Sequence, residues 1–148
     1  MKLIVGVGLA LLLGVSAAEP RVEPLRDADV HRGCGCSFHI PPSAEARGAM
    51  ILQWEVGSPA NLRVDGKLQR LMVRTREQAT QSTRPDQVGD KAVFDLTGKG
   101  VNVRAVCTVT KVCKPEDEAC EVTVYRAKIS VRTPAGTTVL DTWAACGC

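Results

Sequence analysis

The chain has 148 residues with 19 basic and 16 acidic side chains, seven cysteines and five aromatic residues. This length suits one domain, and its core must be built mainly from aliphatic side chains because aromatic residues are few. The formal net charge of +3 comes from charges interspersed along the sequence without a basic stripe, so the composition argues against a nucleic-acid partner.

The first 18 residues have the pattern of a secretory signal peptide. Lys2 is the only charge, an apolar run extends from Leu3 to Val15, and Ser16-Ala17-Ala18 supplies the small residues of a cleavage site. The apolar run is shorter than the roughly 20 residues that cross a bilayer. We therefore predict cleavage after Ala18, no membrane insertion of the mature chain, and a periplasmic or secreted location.

The rest of the chain divides into a leader and one domain. Residues 19–33 contain two prolines and alternating charges, a composition that predicts a flexible leader. From residue 34 to residue 148 the apolar residues recur at every second position, which predicts a single all-β domain. The first two predicted strands run from Cys34 to Ile40 and from Met50 to Val56.

A hairpin and several further strands follow. Asp65-Gly66 lies between two alternating runs, a pattern typical of a two-residue type I′ turn in which Val64 pairs with Lys67. The segment from Thr75 to Gln87 is polar and is predicted to be a long loop. Later strands are centred on residues 92–96, 101–109, 122–131 and 137–148. The sequence therefore predicts an antiparallel meander of about eight strands, closed as a small barrel or folded as a sandwich and stabilised by disulfides.

Two Cys-Gly-Cys triplets, Cys34-Gly35-Cys36 and Cys146-Gly147-Cys148, lie at the two ends of this domain. Residues two apart on a strand share a face, so each triplet presents two thiols on one side. If the first and last strands are antiparallel neighbours, Cys34 meets Cys148 and Cys36 meets Cys146. Disulfides are expected in an exported chain, and we predict these two bridges.

The remaining three cysteines divide into a pair and a single thiol. Cys113 and Cys120 enclose a predicted hairpin loop and are expected to form a third disulfide. Cys107 is left over and alternates with apolar residues, so it is predicted to be a buried free thiol.

The triplets also allow a metal site. Four convergent thiolates from Cys34, Cys36, Cys146 and Cys148 could hold zinc or copper(I). His31 and His39 flank the first triplet, but on a regular strand they lie on the opposite face from its thiols. A redox role would need a strained bridge within one triplet. We predict structural disulfides, no metal and no cofactor.

No catalytic constellation stands out. The sequence has two histidines, and no Ser/His/Asp arrangement, phosphate-binding glycine loop or pair of catalytic carboxylates is evident. Trp54 and Trp143 are predicted to be core residues, and the acidic run from Glu116 to Glu118 is predicted to be a solvated loop. The chain is therefore predicted not to be an enzyme.

The sequence resembles small exported bacterial proteins of uncharacterised activity that carry a Cys-Gly-Cys triplet at each end of a β domain. Its segments 34–38, 64–67, 110–113 and 146–148 are the basis of this likeness, which implies no activity. A shorter segment, Trp54 to Lys67, resembles the periplasmic inhibitors of C-type lysozyme, which are small β-barrels. The inhibitory loop of that family has a Ser-Gly pair followed by Tyr, whereas this chain has no Ser-Gly dipeptide and only Tyr125.

Three functional hypotheses follow. The leading one is an exported, non-catalytic structural or binding domain, with an unidentified protein partner possible and the oligomeric state left open. The first alternative is a soft-metal binding protein that uses the two triplets. The second alternative is an inhibitor of an extracellular or cell-wall hydrolase such as lysozyme.

Overall fold

The structure is a computed structural model that describes residues 18–41, 48–78 and 86–148. The predicted signal peptide lies outside the described residues except for Ala18, as do residues 79–85 of the predicted polar loop. Within the described ranges, no helix has the length and apolar character needed to cross a membrane.

Strands account for most of the described chain. In chain order the elements are β1 (Val22–Glu23), a 3-10 helix (Asp27–Asp29), β2 (Gly35–Ile40), β3 (Ala49–Glu55), β4 (Ala60–Val64), β5 (Lys67–Gln78), β6 (Lys91–Gly98), β7 (Val101–Lys111), β8 (Val122–Thr133) and β9 (Gly136–Gly147). Strand β5 continues through Gln78, so it includes the first residues of the segment predicted to be a loop.

Strands β2 to β9 form a closed antiparallel barrel. Each strand from β2 to β8 pairs with the next one along the chain, and β9 pairs with β2 to complete the circle. This arrangement confirms the predicted all-β class and meander, and it is a barrel rather than a sandwich. Closure removes the free strand edges that would otherwise offer unpaired backbone groups to other chains.

The hairpin around Asp65-Gly66 has the predicted register. Asp65 and Gly66 have φ angles of 50° and 78°, as a type I′ turn requires, and Val64 pairs with Lys67. Leu62 and Val64 are buried on the inner face of the barrel.

Alternation of side chains fills the barrel interior. Along β7, Val101, Val103, Ala105, Cys107 and Val109 are buried, whereas Asn102, Arg104 and Val106 between them are exposed. The inward-facing residues of the barrel strands join into a hydrophobic core that includes Phe38, Leu52, Leu96 and Ile129, each fully buried. The outer face of the barrel therefore carries most of the polar side chains of its strands, together with exposed apolar residues such as Met72, Val106 and Val139.

Residues 19–33, for which the composition predicts a flexible leader, make defined contacts with the barrel. Strand β1 pairs with the end of β4 through Val22 opposite Val64, and Pro20 is fully buried. The backbone N–H of Leu25 donates to the carbonyl oxygen of Met50 at 2.8 Å. The described leader thus differs from a free tail, because it covers the outer face of β3 and β4.

Polar side chains of β3 and β4 hold the leader in place. Arg63 donates two hydrogen bonds to the carboxylate of Asp29, at 2.6 and 3.1 Å, and both side chains are nearly buried. The amide of Gln53 exchanges two hydrogen bonds with the backbone of His31, and Asn61 donates to the carbonyl oxygen of Asp29. The polar composition of the leader therefore matches partners on the barrel wall, which composition alone does not reveal.

Candidate functional site

The pairing of β2 with β9 brings the two Cys-Gly-Cys triplets together. In this register Gly35 lies opposite Gly147 and Cys36 opposite Cys146. Disulfides join Cys34 to Cys148 and Cys36 to Cys146, with Cα–Cα distances of 4.2 and 4.1 Å. These are the pairs that the sequence analysis predicts, and the short distances are typical of the closer type of cross-strand pair in an antiparallel ladder.

The glycines of the triplets are required by close backbone packing. A Cβ atom on Gly35 would overlap the carbonyl oxygen of Trp54 on β3. A Cβ atom on Gly147 would overlap the carbonyl oxygen of Glu121, and its φ of +151° disfavours other residues. The neighbouring chain segments therefore press on both triplets, and a side chain between the two bridges has no room.

The third disulfide lies at the same end of the barrel. Cys113 and Cys120, in the loop between β7 and β8, are bonded with a Cα–Cα distance of 5.4 Å. This loop leads directly into Val122, which pairs with Gly147 of the second triplet. We call this region, with its bridges Cys34–Cys148, Cys36–Cys146 and Cys113–Cys120, the disulfide end. Three disulfides favour an oxidising, extracytoplasmic setting.

The disulfide end offers no thiolates while its bridges are intact. The four triplet sulfurs proposed as metal ligands are bonded to one another, and a disulfide sulfur lacks the negative charge that makes cysteine a zinc or copper(I) ligand. Among the described residues, no group of three or more His, Cys, Asp or Glu side chains is placed to hold a metal ion.

The two histidines near the first triplet have other neighbours. His39 stacks on Trp143 of β9, with ring centroids 4.3 Å apart and an angle of 11° between the planes, and burial lowers the pKa of its imidazole. The imidazole Nε2 of His31 lies 3.2 Å from the amide nitrogen of Asn61. His31 also lines a surface cavity of about 220 Å³ together with Cys36 and Cys148, whose sulfurs are both held in disulfides.

Cys107 is the free cysteine, and it lies inside the barrel with no exposed surface. Burial raises the pKa of its thiol to about 12. At neutral pH the thiol is therefore protonated, and a protonated, inaccessible thiol is a poor nucleophile.

The two tryptophans occupy different environments. Trp54 belongs to the core, where its ring packs 5.4 Å from Phe38 and 5.2 Å from Phe94, measured between centroids. The prediction of a core position is wrong for Trp143, which lies opposite the exposed Arg126 on the outer face of β9. Its Nε1 has no hydrogen-bond partner in the described part of the chain. The acidic residues from Glu116 to Glu118 are exposed in the loop closed by Cys113 and Cys120.

The outer wall of the barrel has a concentration of positive charge that the linear sequence conceals. Strands β6, β7 and β8 together carry one acidic residue, Asp95, and six basic residues, all exposed: Lys91, Arg104, Lys111, Arg126, Lys128 and Arg132. This surplus of five positive charges on three adjacent strands exceeds the net charge of +3 for the whole chain. We call these six basic residues the basic wall.

A groove crosses one end of the basic wall. Arg74, Asp95, Arg104 and Ser130 lie side by side on β5 to β8, because the register pairs each with the next. Thr97, Asn102 and Arg132 form the adjacent row. These seven residues line a surface cavity of about 560 Å³, which we call the arginine groove.

Charges within the groove are only partly balanced. A guanidinium nitrogen of Arg104 lies 4.0 Å from a carboxylate oxygen of Asp95, and Arg74 and Arg132 are exposed. Among the described residues that line the groove, there are therefore three cations and one carboxylate. Its volume lies within the range of roughly 300 to 1,000 Å³ that is common for ligand pockets.

Sequence reasoning missed the basic wall because the charges look interspersed along the chain. Part of the signal was available in the alternation, since five of the six basic residues fall on the opposite phase from the buried residues of their strand. Lys111 is the exception, because it follows the register shift at Thr110. Recognising the cluster also required the strand order, which places β5, β6, β7 and β8 side by side.

Comparisons with known proteins give no match to a family model, to a curated protein or to a solved structure.

Proposed function

We propose that the protein is an exported, non-catalytic binding domain that presents the basic wall to an anionic partner. The observation that carries this proposal is the surplus of five positive charges on β6 to β8, exposed on a rigid antiparallel sheet. One of the six basic side chains, Lys128, is paired with Asp141 of β9 at 3.0 Å, and the surplus remains positive. A preformed surface with a surplus of one charge attracts oppositely charged partners and needs little reordering when they bind.

Export is supported by two independent features. The first 18 residues have the pattern of a signal peptide, and three disulfides suit an oxidising compartment. Expression of the full chain in a bacterial host with fractionation tests this part. We expect an extracytoplasmic protein whose N-terminus is Glu19, and a chain that keeps Met1 in the membrane fraction would contradict export.

The two alternative functions have less support. A soft-metal role would require prior reduction of both triplet bridges. In the segment that resembles lysozyme inhibitors, Trp54 and Leu62 are core residues of the barrel, so barrel packing already explains them.

Binding by the basic wall is tested with a panel of immobilised ligands at low ionic strength. The panel contains polygalacturonate, sulfated dextran, duplex DNA and anionic lipid vesicles, with unmodified dextran as the neutral control. We expect the mature protein to be retained on at least one anionic ligand and released by salt, because exposed ion pairs are screened. Retention on none of them beyond the level of neutral dextran would overturn the proposed function.

A further inference from the structure

We infer that the arginine groove is a binding site for an acidic polysaccharide, meaning a glycan chain with carboxylate or sulfate groups. This inference rests on the proposed function and names the ligand class and the residues that select it. It depends on Arg74, Arg104 and Arg132 as anion contacts and on the polar residues between them.

The spacing of the three arginines matches a chain of separated anions better than a single one. Neighbouring strands lie about 4.8 Å apart, so the backbone positions of Arg74 on β5 and Arg132 on β8 differ by roughly 15 Å across the sheet. Arg104 lies between them, diagonal to Arg132 at about 7 to 8 Å. Anionic groups repeated along a glycan chain can meet such spaced guanidinium groups one after another.

The polar residues of the groove suit the hydroxyl groups of sugars. Thr97, Asn102 and Ser130 offer hydroxyl and amide groups that both donate and accept hydrogen bonds. A carboxylate oxygen can accept more than one hydrogen bond, so Asp95 can receive a sugar hydroxyl in addition to the partners that it has in the protein, among them Arg104. A ligand that carries both anions and many hydroxyls fits this mixture.

Nucleic acid fits the same groove less well. Proteins that bind single-stranded nucleic acid place aromatic side chains under the bases, and the residues that line the groove include no aromatic one. Asp95 lies in the middle of the arginines, where it would repel a phosphate backbone that passes over it. Each sugar of an acidic polysaccharide also carries hydroxyl groups, so the chain can turn hydroxyls towards Asp95 while its anionic groups contact the arginines.

The test compares a groove variant with a matched variant elsewhere on the basic wall. The groove variant is Arg104→Gln/Arg132→Gln, and the control is Lys111→Gln/Arg126→Gln, which removes two exposed charges from the same wall outside the groove. The probe is a fluorescently labelled oligogalacturonate, and affinity is measured by anisotropy. All four positions are exposed, so both variants should fold, and circular dichroism with thermal unfolding verifies this.

We expect the groove variant to bind oligogalacturonate at least about tenfold more weakly, since it loses two guanidinium groups that make charge-assisted hydrogen bonds to the ligand. The control variant should lose distinctly less affinity. Arg104→Lys should also weaken binding, because lysine keeps the charge but lacks the two-pronged donor geometry of arginine.

Two outcomes would overturn the inference while leaving the proposed function intact. Equal losses in the groove and control variants would show that charge on the whole wall, and not the groove, binds the ligand. Tighter binding to duplex DNA or to anionic vesicles than to acidic polysaccharide at the same ionic strength would show that the ligand class is wrong.

Discussion

Cysteine chemistry in this protein is decided by what surrounds each sulfur. Cys107 lies on β7 between Ala92 and Ala127 of the neighbouring strands, where burial raises the pKa of its thiol to about 12. Cys34 and Cys148 are exposed at the barrel end and bonded to each other. Both environments could be predicted from the sequence. Cys107 occurs at the alternate positions of β7 that are otherwise apolar, and the two triplets lie on strands that the sequence predicts to be antiparallel neighbours.

The first prediction concerns Cys107. Cys107→Ser should lower the free energy of unfolding by about 1 to 3 kcal/mol, because it leaves a hydroxyl group in an apolar interior. Cys107→Ala, which buries no polar atom, should cost less. Urea denaturation measures both, and a serine variant as stable as the alanine variant would contradict an apolar environment around this position.

Asp29 is a second residue whose role depends on its surroundings. Hydrogen bonds from the Arg63 guanidinium and from the backbone N–H of Arg26 lower the pKa of its carboxyl group. A carboxyl group with a lower pKa in the folded state stabilises that state above its ordinary pKa. The contribution is lost as pH falls through the lowered value.

The second prediction follows from the lowered pKa of Asp29 in the folded state. Asp29→Asn should unfold at a lower temperature than wild type at pH 7. The difference should narrow as the pH falls from about 3.9, the ordinary pKa of aspartate, through the lowered pKa at which the folded carboxylate becomes protonated. Thermal unfolding between pH 7 and pH 2 measures it. Asp27→Asn, in the same 3-10 helix but exposed, is the control and should stay close to wild type. A difference independent of pH would mean that the ion pair is not responsible.

At the scale of elements, strands with regular alternation were predictable and elements that depend on distant partners were not. The hairpin at Asp65-Gly66 follows from turn chemistry and the pattern of burial in its two strands. The contacts of the leader could not be predicted, because its partners, Gln53, Asn61 and Arg63, lie on the outer face of β3 and β4 and look like ordinary surface residues in the sequence. The arginine groove was missed for the same reason, since it combines residues from four strands.

The sequence predicts where one β-bulge lies in the sheet, but it does not predict which strand carries the bulge. In the sequence of β8, Val122 and Val124 keep one phase of the alternation whereas Tyr125, Ala127 and Ile129 keep the other, a change that predicts a β-bulge near Val124 and Tyr125. The structure has the irregularity there, but the extra residue is Thr110 on β7, opposite Val124 and Tyr125. A pattern of side chains shows where two strands lose register, but it does not show which strand carries the additional residue.

The third prediction concerns the docked leader. The backbone amides of Leu25, His31 and Asp65 donate to Met50, Gln53 and Arg21 respectively, so they should exchange hydrogen with solvent much more slowly than in an unstructured chain. Hydrogen exchange followed by NMR or mass spectrometry on the mature protein measures this. Arg63→Ala should accelerate exchange at Leu25 and His31 while leaving β7 protected. Exchange at free-chain rates for residues 19–33 in the wild type would instead support the flexible leader that the composition suggests.

In the whole molecule, the two triplet disulfides lie where the barrel closes, at the pairing of β2 with β9. Strand β9 must return to β2 across more than 100 residues of chain, and two bridges fasten this junction. The core side chains contribute within each hairpin, but the pairing of the first barrel strand with the last has the highest cost in chain entropy. The two triplet bridges therefore stabilise the pairing of β2 with β9, which local contacts support least.

The fourth prediction is that the two triplet bridges are strongly non-additive. In the chain-entropy model one bridge that closes a loop of more than 100 residues contributes about 4.7 kcal/mol, and a second bridge on nearly the same loop adds little. Cys34→Ala/Cys148→Ala should therefore cost little while Cys36–Cys146 is intact, and removal of all four cysteines should cost about 4.7 kcal/mol. The Cys113–Cys120 bridge closes a separate, short loop. Its removal in Cys113→Ala/Cys120→Ala should lower the free energy of unfolding by about 2.5 kcal/mol, whether or not the triplet bridges are present. Urea denaturation without reductant measures each variant. If the two triplet bridges instead contributed equal, additive amounts, the bridges would act through local packing of the disulfide end, and closure of the barrel would have to depend on the β2–β9 ladder itself.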